Sequence, residues 1–195
     1  MQTKAMTVTE PELIKRARGG DEDAFGELVT RHADRVYATL RSFGLDMSEA
    51  EEVAQEVFLR AWRGLEQFQE RAQFSTWLYR IAFNEAQRRL SRRGPPPVEP
   101  VPDGDDPVAL IADRPDRGPA RRALDREFEL VLRDALGQLP DEWRVAVVLR
   151  DMEGLSTEEA AEVTGVRQAA FKSRLHRGRM RLRTLLEPYT GLEER

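Results

Sequence analysis

The chain of 195 residues contains no cysteine, which removes disulfides, zinc–thiolate centres and thiol redox sensing from what it can do alone. Histidine is almost as scarce, with His32 and His176 far apart, so no histidine-built metal site is expected. No apolar run approaches the roughly 20 residues of a membrane span, and the N-terminus lacks a signal-peptide core. Gly-rich phosphate loops, nucleophile elbows and paired-carboxylate sites are missing as well. No catalytic residue, metal, cofactor or small-molecule substrate is therefore expected. These absences point to a soluble, cytoplasmic protein that works by binding.

What is present is charge, unevenly placed. Lys and Arg total 31 against 35 Asp and Glu, a net charge of −4, which alone argues against a nucleic-acid partner. The distribution matters more than the sum. Acidic residues concentrate at 49–56 and 99–116, basic ones at 71–93 and 167–183. Between two basic stretches, residues 94–118 hold most of the prolines, many acidic residues and few large apolar ones. Such a composition cannot pack as helix or strand. It predicts a linker able to reach about 80 Å at full stretch, with Val108–Ile111 as an apolar island that could dock. The expected fold is all-α. Two small helical domains, 10–93 and 119–188, are joined by a flexible Pro-rich acidic linker at 94–118, and the second contains a helix-turn-helix.

That helix-turn-helix spans residues 154–186. Ser156 and Glu159 suit a capping box, Ala160 and Val163 point inward, and Gly165 supplies a tight turn. The second helix starts near Arg167, with Phe171, Leu175, Gly178 and Leu182 on its buried face. Ala169, Ser173, His176, Arg177 and Met180 face away, and Gln168, Lys172 and Arg179 lie on a flank. From Arg167 to Leu186 there is no Asp or Glu. A solvated helix face ordinarily mixes signs, because like charges three or four apart repel. A purely basic face beside an apolar edge suits an anionic partner, and the preceding capped helix suits groove reading.

In the N-terminal half, Asp21 or Asp23 caps a predicted helix over 24–43 with the stripe Phe25, Leu28, Val29, His32, Val36 and Leu40. His32 on that stripe reads as packing rather than as a ligand. Gly44 ends the helix. Ser48, with Glu51 three residues on, is the expected cap of the next. It turns Ala50, Val53, Ala54, Val57, Ala61 and Leu65 inward and leaves Phe58, Leu59 and Trp62 among Glu52, Gln55, Glu56 and Arg63. That apolar group reads equally as a protein-docking patch or as cover for a neighbouring helix. Ser75 is the expected cap of a third helix, with Phe74, Trp77, Leu78 and Ile81 on a core edge. Thr76, Arg80, Phe83, Asn84, Gln87 and Arg88 lie opposite, a mixture able to hold a single strand. After the linker, Pro119 opens a helix with the stripe Leu124, Phe128, Val131, Leu132, Ala135 and Leu139, and Asp141 caps another with Val145, Val148, Leu149 and Met152 inward. Pro188 and Gly191 break the tail.

Three motifs stand in one order: EAEEVAQEVFLRAW, then FSTWLYRIAFNEAQRR, then ALGQLPDEWRVAVVLRDMEGLSTEEAAEVTG followed by KSRLHRGR. Together, over about residues 12–186, they resemble the bacterial sigma factors of the extracytoplasmic-function type. The resemblance implies a promoter-specificity subunit of RNA polymerase, with core polymerase (β′ clamp and β flap) and promoter DNA as partners and an anti-sigma factor as a candidate one. It assigns Glu52, Gln55, Glu56, Phe58, Leu59 and Trp62 to core docking. It assigns Arg71, Phe74, Ser75, Thr76, Arg80, Asn84 and Arg88 to the −10 element, with a base flipped from the stack into the 69–75 loop. Arg167, Gln168, Lys172, Ser173, Arg174, His176 and Arg177 fall to the −35 element, read in the major groove. By the same analogy, the acidic linker threads the polymerase channels. Arg80 and Ile81 stand where housekeeping relatives carry duplex-wedging tryptophans, which implies weaker melting. Ala170-Phe171 replaces the more usual Thr-Val, leaving −35 preference open. A stand-alone helix-turn-helix regulator, dimerising through its N-terminal half, is the alternative.

Overall fold

The computed structural model describes residues 8–70, 72–92 and 119–190. Among these, all regular structure is helical. The N-terminal half comprises α1 (Glu10–Arg18), α2 (Glu22–Ser42), α3 (Met47–Gly64) and α4 (Phe74–Leu90), with a short 3₁₀ turn at Leu65–Gln67. Leu13, Ile14 and Ala17 of α1 are buried, as are Leu28, Val36 and Leu40 of α2 and Ala50, Val53, Val57 and Ala61 of α3. This is the helical spacing the sequence displays.

Local signals set most of the helix starts, with instructive exceptions. The Asp21 carboxylate accepts from the Ala24 amide at 3.0 Å and caps α2. The α3 cap is Asp46 with Glu49, a full capping box, rather than Ser48 with Glu51. Two overlapping pairs of the same type compete there. The earlier one wins because the chain, reversed at Gly44 (φ +100°), enters the helix at once with Leu45 buried. Ser75 does not cap α4 either. The helix starts two residues sooner behind Gln73, which sinks Phe74 among the rings of His32, Phe68 and Trp77.

The C-terminal half comprises α5 (Pro119–Gly137), α6 (Asp141–Val147) running into a π turn at Val148–Met152, α7 (Thr157–Thr164) and α8 (Gln168–Thr190). Asp141 is the first residue of α6, not its cap, because its carboxylate is drawn to Arg144. Ser156 and Glu159 form the predicted capping box of α7. Gly165, at φ +68°, supplies the left-handed residue of the turn into α8. Helix α8 continues past the predicted break at Pro188 to Thr190. Proline lacks an amide N–H, so it gives up one backbone bond to the preceding turn.

The two halves also pack on one another. Helix α7 lies against α4, and α5 touches α2. Arg144, buried to 5% exposure, donates to the carbonyl of Phe43 at 3.0 Å and to that of Leu139 at 3.3 Å. The Glu153 side chain accepts from Tyr79 Oη at 2.6 Å, Thr39 Oγ1 at 2.5 Å and Arg35 Nε at 2.8 Å. Burial and the Glu153 carboxylate push the Tyr79 phenol well above its ordinary range, so it stays protonated as a donor. The Glu153 bond likewise raises Arg35, which stays charged.

Candidate nucleic-acid and protein interfaces

The reading face of α8 is set by how its other face is seated. Phe171, Leu175, Leu182 and Leu186 are buried. At Gly178 the backbone comes so close to α6 that a Cβ would sit 2.8 Å from Val147 Cγ2 and 2.9 Å from the Trp143 carbonyl oxygen. Beside it, Arg179 turns inward and grips Asp151 with two bonds, Nε to Oδ2 at 3.0 Å and NH2 to Oδ1 at 2.7 Å. The sequence put Arg179 on the polar flank; in the fold it ties α8 to the π turn. Arg167, Gln168, Lys172, Ser173 and Arg177 are exposed, and His176 is half-buried. Arg174 leans across to Glu142 at 3.1 Å. A contiguous basic surface remains, beginning at the amide-rich N-terminus of α8, where an anion is favoured.

The basic side of α4 is only partly open. Arg80, Asn84 and Arg88 are exposed, and Ser75 is half-buried. Arg88 pairs with Glu85 at 2.9 Å. Phe74 is 2% exposed and packed into the aromatic cluster, so it offers no ring to a base in this conformation. Thr76, expected to face outward, is 7% exposed beneath α7. Arg71 lies outside the described residues, as do Arg93 and the Val108–Ile111 island. Gln67, Phe68, Gln69, Thr76, Trp77 and Arg80 line a cleft of about 310 Å³. Its far wall comes from the other half: Glu159, Glu162 and Val163. Trp77, assigned by pattern to packing, thus packs on Phe68 and also borders the cleft.

A third surface is an apolar groove of about 620 Å³ between α2 and α3. It is lined by Phe25, Val29, Ala33, Phe58, Leu59 and Trp62, with Glu22 and Gln55 at the rim. Trp62 rests on Phe25 with ring centroids 4.9 Å apart, and Leu59 is 49% exposed. Neither sequence reading of this group was complete. Phe58 and Trp62 do cover the neighbouring helix, and the surface they make with it stays open. The α2 wall was missed because Phe25 and Val29 sit on a stripe whose other members are core. Glu56 pairs with Arg60 at 2.7 Å, and Arg89 of α4 holds Glu49 at 3.3 Å and Glu52 at 3.0 Å. These acidic residues of α3 are held by arginines of α3 and α4.

Comparison with known proteins places the chain in a family. The profile of sigma-70 region 2 matches residues 28–95, and that of sigma-70 region 4 matches residues 129–182. The chain is 34% identical to the RNA polymerase sigma-H factor of Pseudomonas aeruginosa over 182 residues, covering 92% of this chain and 94% of that one. It is 32% identical to the extracytoplasmic-function sigma-E factor of Haemophilus influenzae, covering 94% and 98%. The chain belongs to the extracytoplasmic-function sigma factors of the sigma-70 family. Among solved structures, CnrH in complex with the cytosolic domain of CnrY superposes with a TM-score of 0.63 at 31% identity, covering 90% of this chain and 96% of CnrH. As a sigma factor, the protein is a promoter-specificity subunit of RNA polymerase. Membership excludes the stand-alone regulator. The groove lining from Val29 to Trp62 and the cleft's near wall fall within the region 2 match, and α8 as far as Leu182 falls within the region 4 match. Among the described residues, no helix is long and apolar enough to cross a membrane.

Proposed function

We propose that this sigma factor divides its work among the three surfaces. The α2–α3 groove receives the β′ clamp of core polymerase, with Phe25, Phe58, Leu59 and Trp62 as its apolar floor and Gln55 at its rim, and Glu52 and Glu56 of the same helix join the contact. Arg80, Asn84 and Arg88 of α4 carry the non-template strand of the −10 element, and the cleft beside Trp77 takes an unstacked base. Arg167, Gln168, Lys172, Ser173, Arg174, His176 and Arg177 read the −35 element, Arg174 being the member already committed to Glu142. The protein binds rather than catalyses, and its place is the cytoplasm, where the polymerase and chromosome are. The relative CnrH was solved with the cytosolic domain of CnrY; by analogy this chain has an anti-sigma partner.

The observation that carries the docking assignment is the groove itself. An open apolar surface with Leu59 about half exposed, bordered by Glu22 and Gln55, has the make-up of an interface centre and its polar border. Leu59→Ala with Trp62→Ala is expected to weaken binding to purified core polymerase by at least about tenfold while the far-ultraviolet circular dichroism is unchanged. Undiminished core affinity in that folded variant would remove the groove from the interface.

A further inference from the structure

One guanidinium on α1 holds the loop that carries the near wall of the cleft. Helix α1 is seated on α2 through buried Leu13, Ile14 and Ala17, and its first turn is tied there by Glu10, 2.8 Å from His32 Nε2. Its last residue is Arg18, where a cation suits the carbonyl end of a helix. From that fixed end the side chain reaches residues 65–70 and commits its whole fork to them. Nε donates to the Leu65 carbonyl at 3.4 Å, NH2 donates to the Phe68 carbonyl, and NH1 pairs with Glu70 Oε1 at 2.8 Å. The guanidinium also stands 5.7 Å from the centre of the Phe68 ring.

The loop needs such a hold. Glu70 sits at φ +55°, the one residue other than glycine in the left-handed region among the described residues. A side chain there is strained, and strain of this kind persists only where the surroundings impose it. Leu65 and Phe68 are turned inward, while Gln67 and Gln69 stay exposed and line the cleft beside Trp77. By holding the carbonyls of both inward residues, Arg18 fixes the direction in which the two carboxamides are offered.

We propose that Arg18 is a positioning residue for the −10 element: it clamps the 65–70 loop so that the Gln67 and Gln69 carboxamides are pre-organised to hydrogen-bond the unstacked base. The proposal rests on the reading of the cleft as that base's pocket. A carboxamide carries a donor and an acceptor side by side, so it discriminates among base edges only when its direction is fixed. A loop that must be ordered during binding loses that discrimination along with affinity. Lysine cannot take the place of Arg18, because one ammonium lacks the planar fork that spans three acceptors.

For the test, holoenzyme is assembled from purified core polymerase and the full-length chain, and transcripts are sequenced from templates randomised in the −10 element under a constant −35 element. Arg18→Ala should flatten the preference at one −10 position by about tenfold, as hydrogen bonds from a charged group warrant. Preference on a second library, randomised only in the −35 element, should not move. Arg18→Lys should recover only a small part of the lost preference. A uniform loss over all templates, or full recovery by lysine, would overturn the clamp, since either marks Arg18 as a charge for the phosphates. The clamp has a signature without DNA as well. Amide hydrogen exchange across residues 64–70 of the free chain should quicken by about tenfold in Arg18→Ala, with α2 and α3 unchanged. That pattern separates release of the loop from loss of the fold, and unaltered exchange in the loop would refute the proposal. Gln67→Ala with Gln69→Ala tests the cleft itself. If that variant keeps the parent's −10 preference, the cleft reading falls and the proposal with it. If it loses the preference while Arg18→Ala keeps it, the clamp alone falls.

Discussion

The Asp151–Arg179 pair should be the costliest single polar contact to break in the helix-turn-helix half. Both partners are almost withdrawn from water, at 4% and 11% side-chain exposure, and two bonds join them. Asp151→Ala removes the carboxylate and leaves the guanidinium where little water reaches it. Breaking a buried pair from one side costs about 3–5 kcal/mol, a large share of the roughly 5–15 kcal/mol that holds a typical domain together. The same helix supplies its own control. Arg174–Glu142 is a pair of similar length with Glu142 63% exposed, and such surface pairs contribute only about 0–1 kcal/mol. Urea unfolding followed by Trp143 fluorescence, with Trp62 and Trp77 replaced by Phe, isolates the half in question. Asp151→Ala should lower its midpoint strongly and Glu142→Ala barely. Asp151→Leu combined with Arg179→Met should recover most of the loss, since a well-packed apolar pair replaces a buried ionic one at little cost. If Asp151→Ala costs no more than Glu142→Ala, the seat of the reading helix is not where the geometry puts it.

Arg177→Ala should cost about 1–3 kcal/mol of discrimination at one −35 base pair, read as a changed preference in transcription from templates randomised there. A uniform loss over all templates would reassign the residue to a phosphate. Acid stability should also follow the helix caps. The Ser156 amide and hydroxyl hold the Glu159 carboxyl below its ordinary range, and the Ala24 amide and Arg16 do the same for Asp21. Groups lowered in the folded state stabilise it above the ordinary carboxylate range, and that contribution is lost as pH falls through the lowered values. Melting temperatures taken at stepped pH should therefore fall less steeply into acid for Glu159→Gln and Asp21→Asn than for the parent, and an unaltered slope would contradict the capping account.

The buried stripes of α2 and most of α3 were legible in the sequence because they depend on neighbours three and four residues away, whereas α1, with Leu13, Ile14 and Ala17 buried, and Ala54, which lines the open groove, were not. Turn glycines at 44 and 165 were legible for the same reason. Caps were harder: Asp46 with Glu49 and Ser48 with Glu51 satisfy one local rule, and only the burial of Leu45 and the turn at Gly44 choose between them. Phe74 and Thr76 were placed on a DNA-facing loop and helix by motif, yet one is drawn into the aromatic cluster and the other lies under α7. Neither partner is local. The Glu153 hydrogen bonds join residues 74 to 118 positions apart, and Arg144 meets a carbonyl 101 positions away. No spacing rule reaches that far, and a buried arginine in a segment as apolar as residues 145–149 gives no sign of which carbonyl it will find. The α2 side of the docking groove escaped notice because one stripe served both core and surface.

Run-off transcription by purified core polymerase, with and without this chain, on a library of templates carrying randomised upstream and downstream promoter elements, tests the central claim most directly. Transcripts that start at one position only when the chain is present, from templates sharing two separated motifs, are the expected result. No chain-dependent start on any template would contradict it.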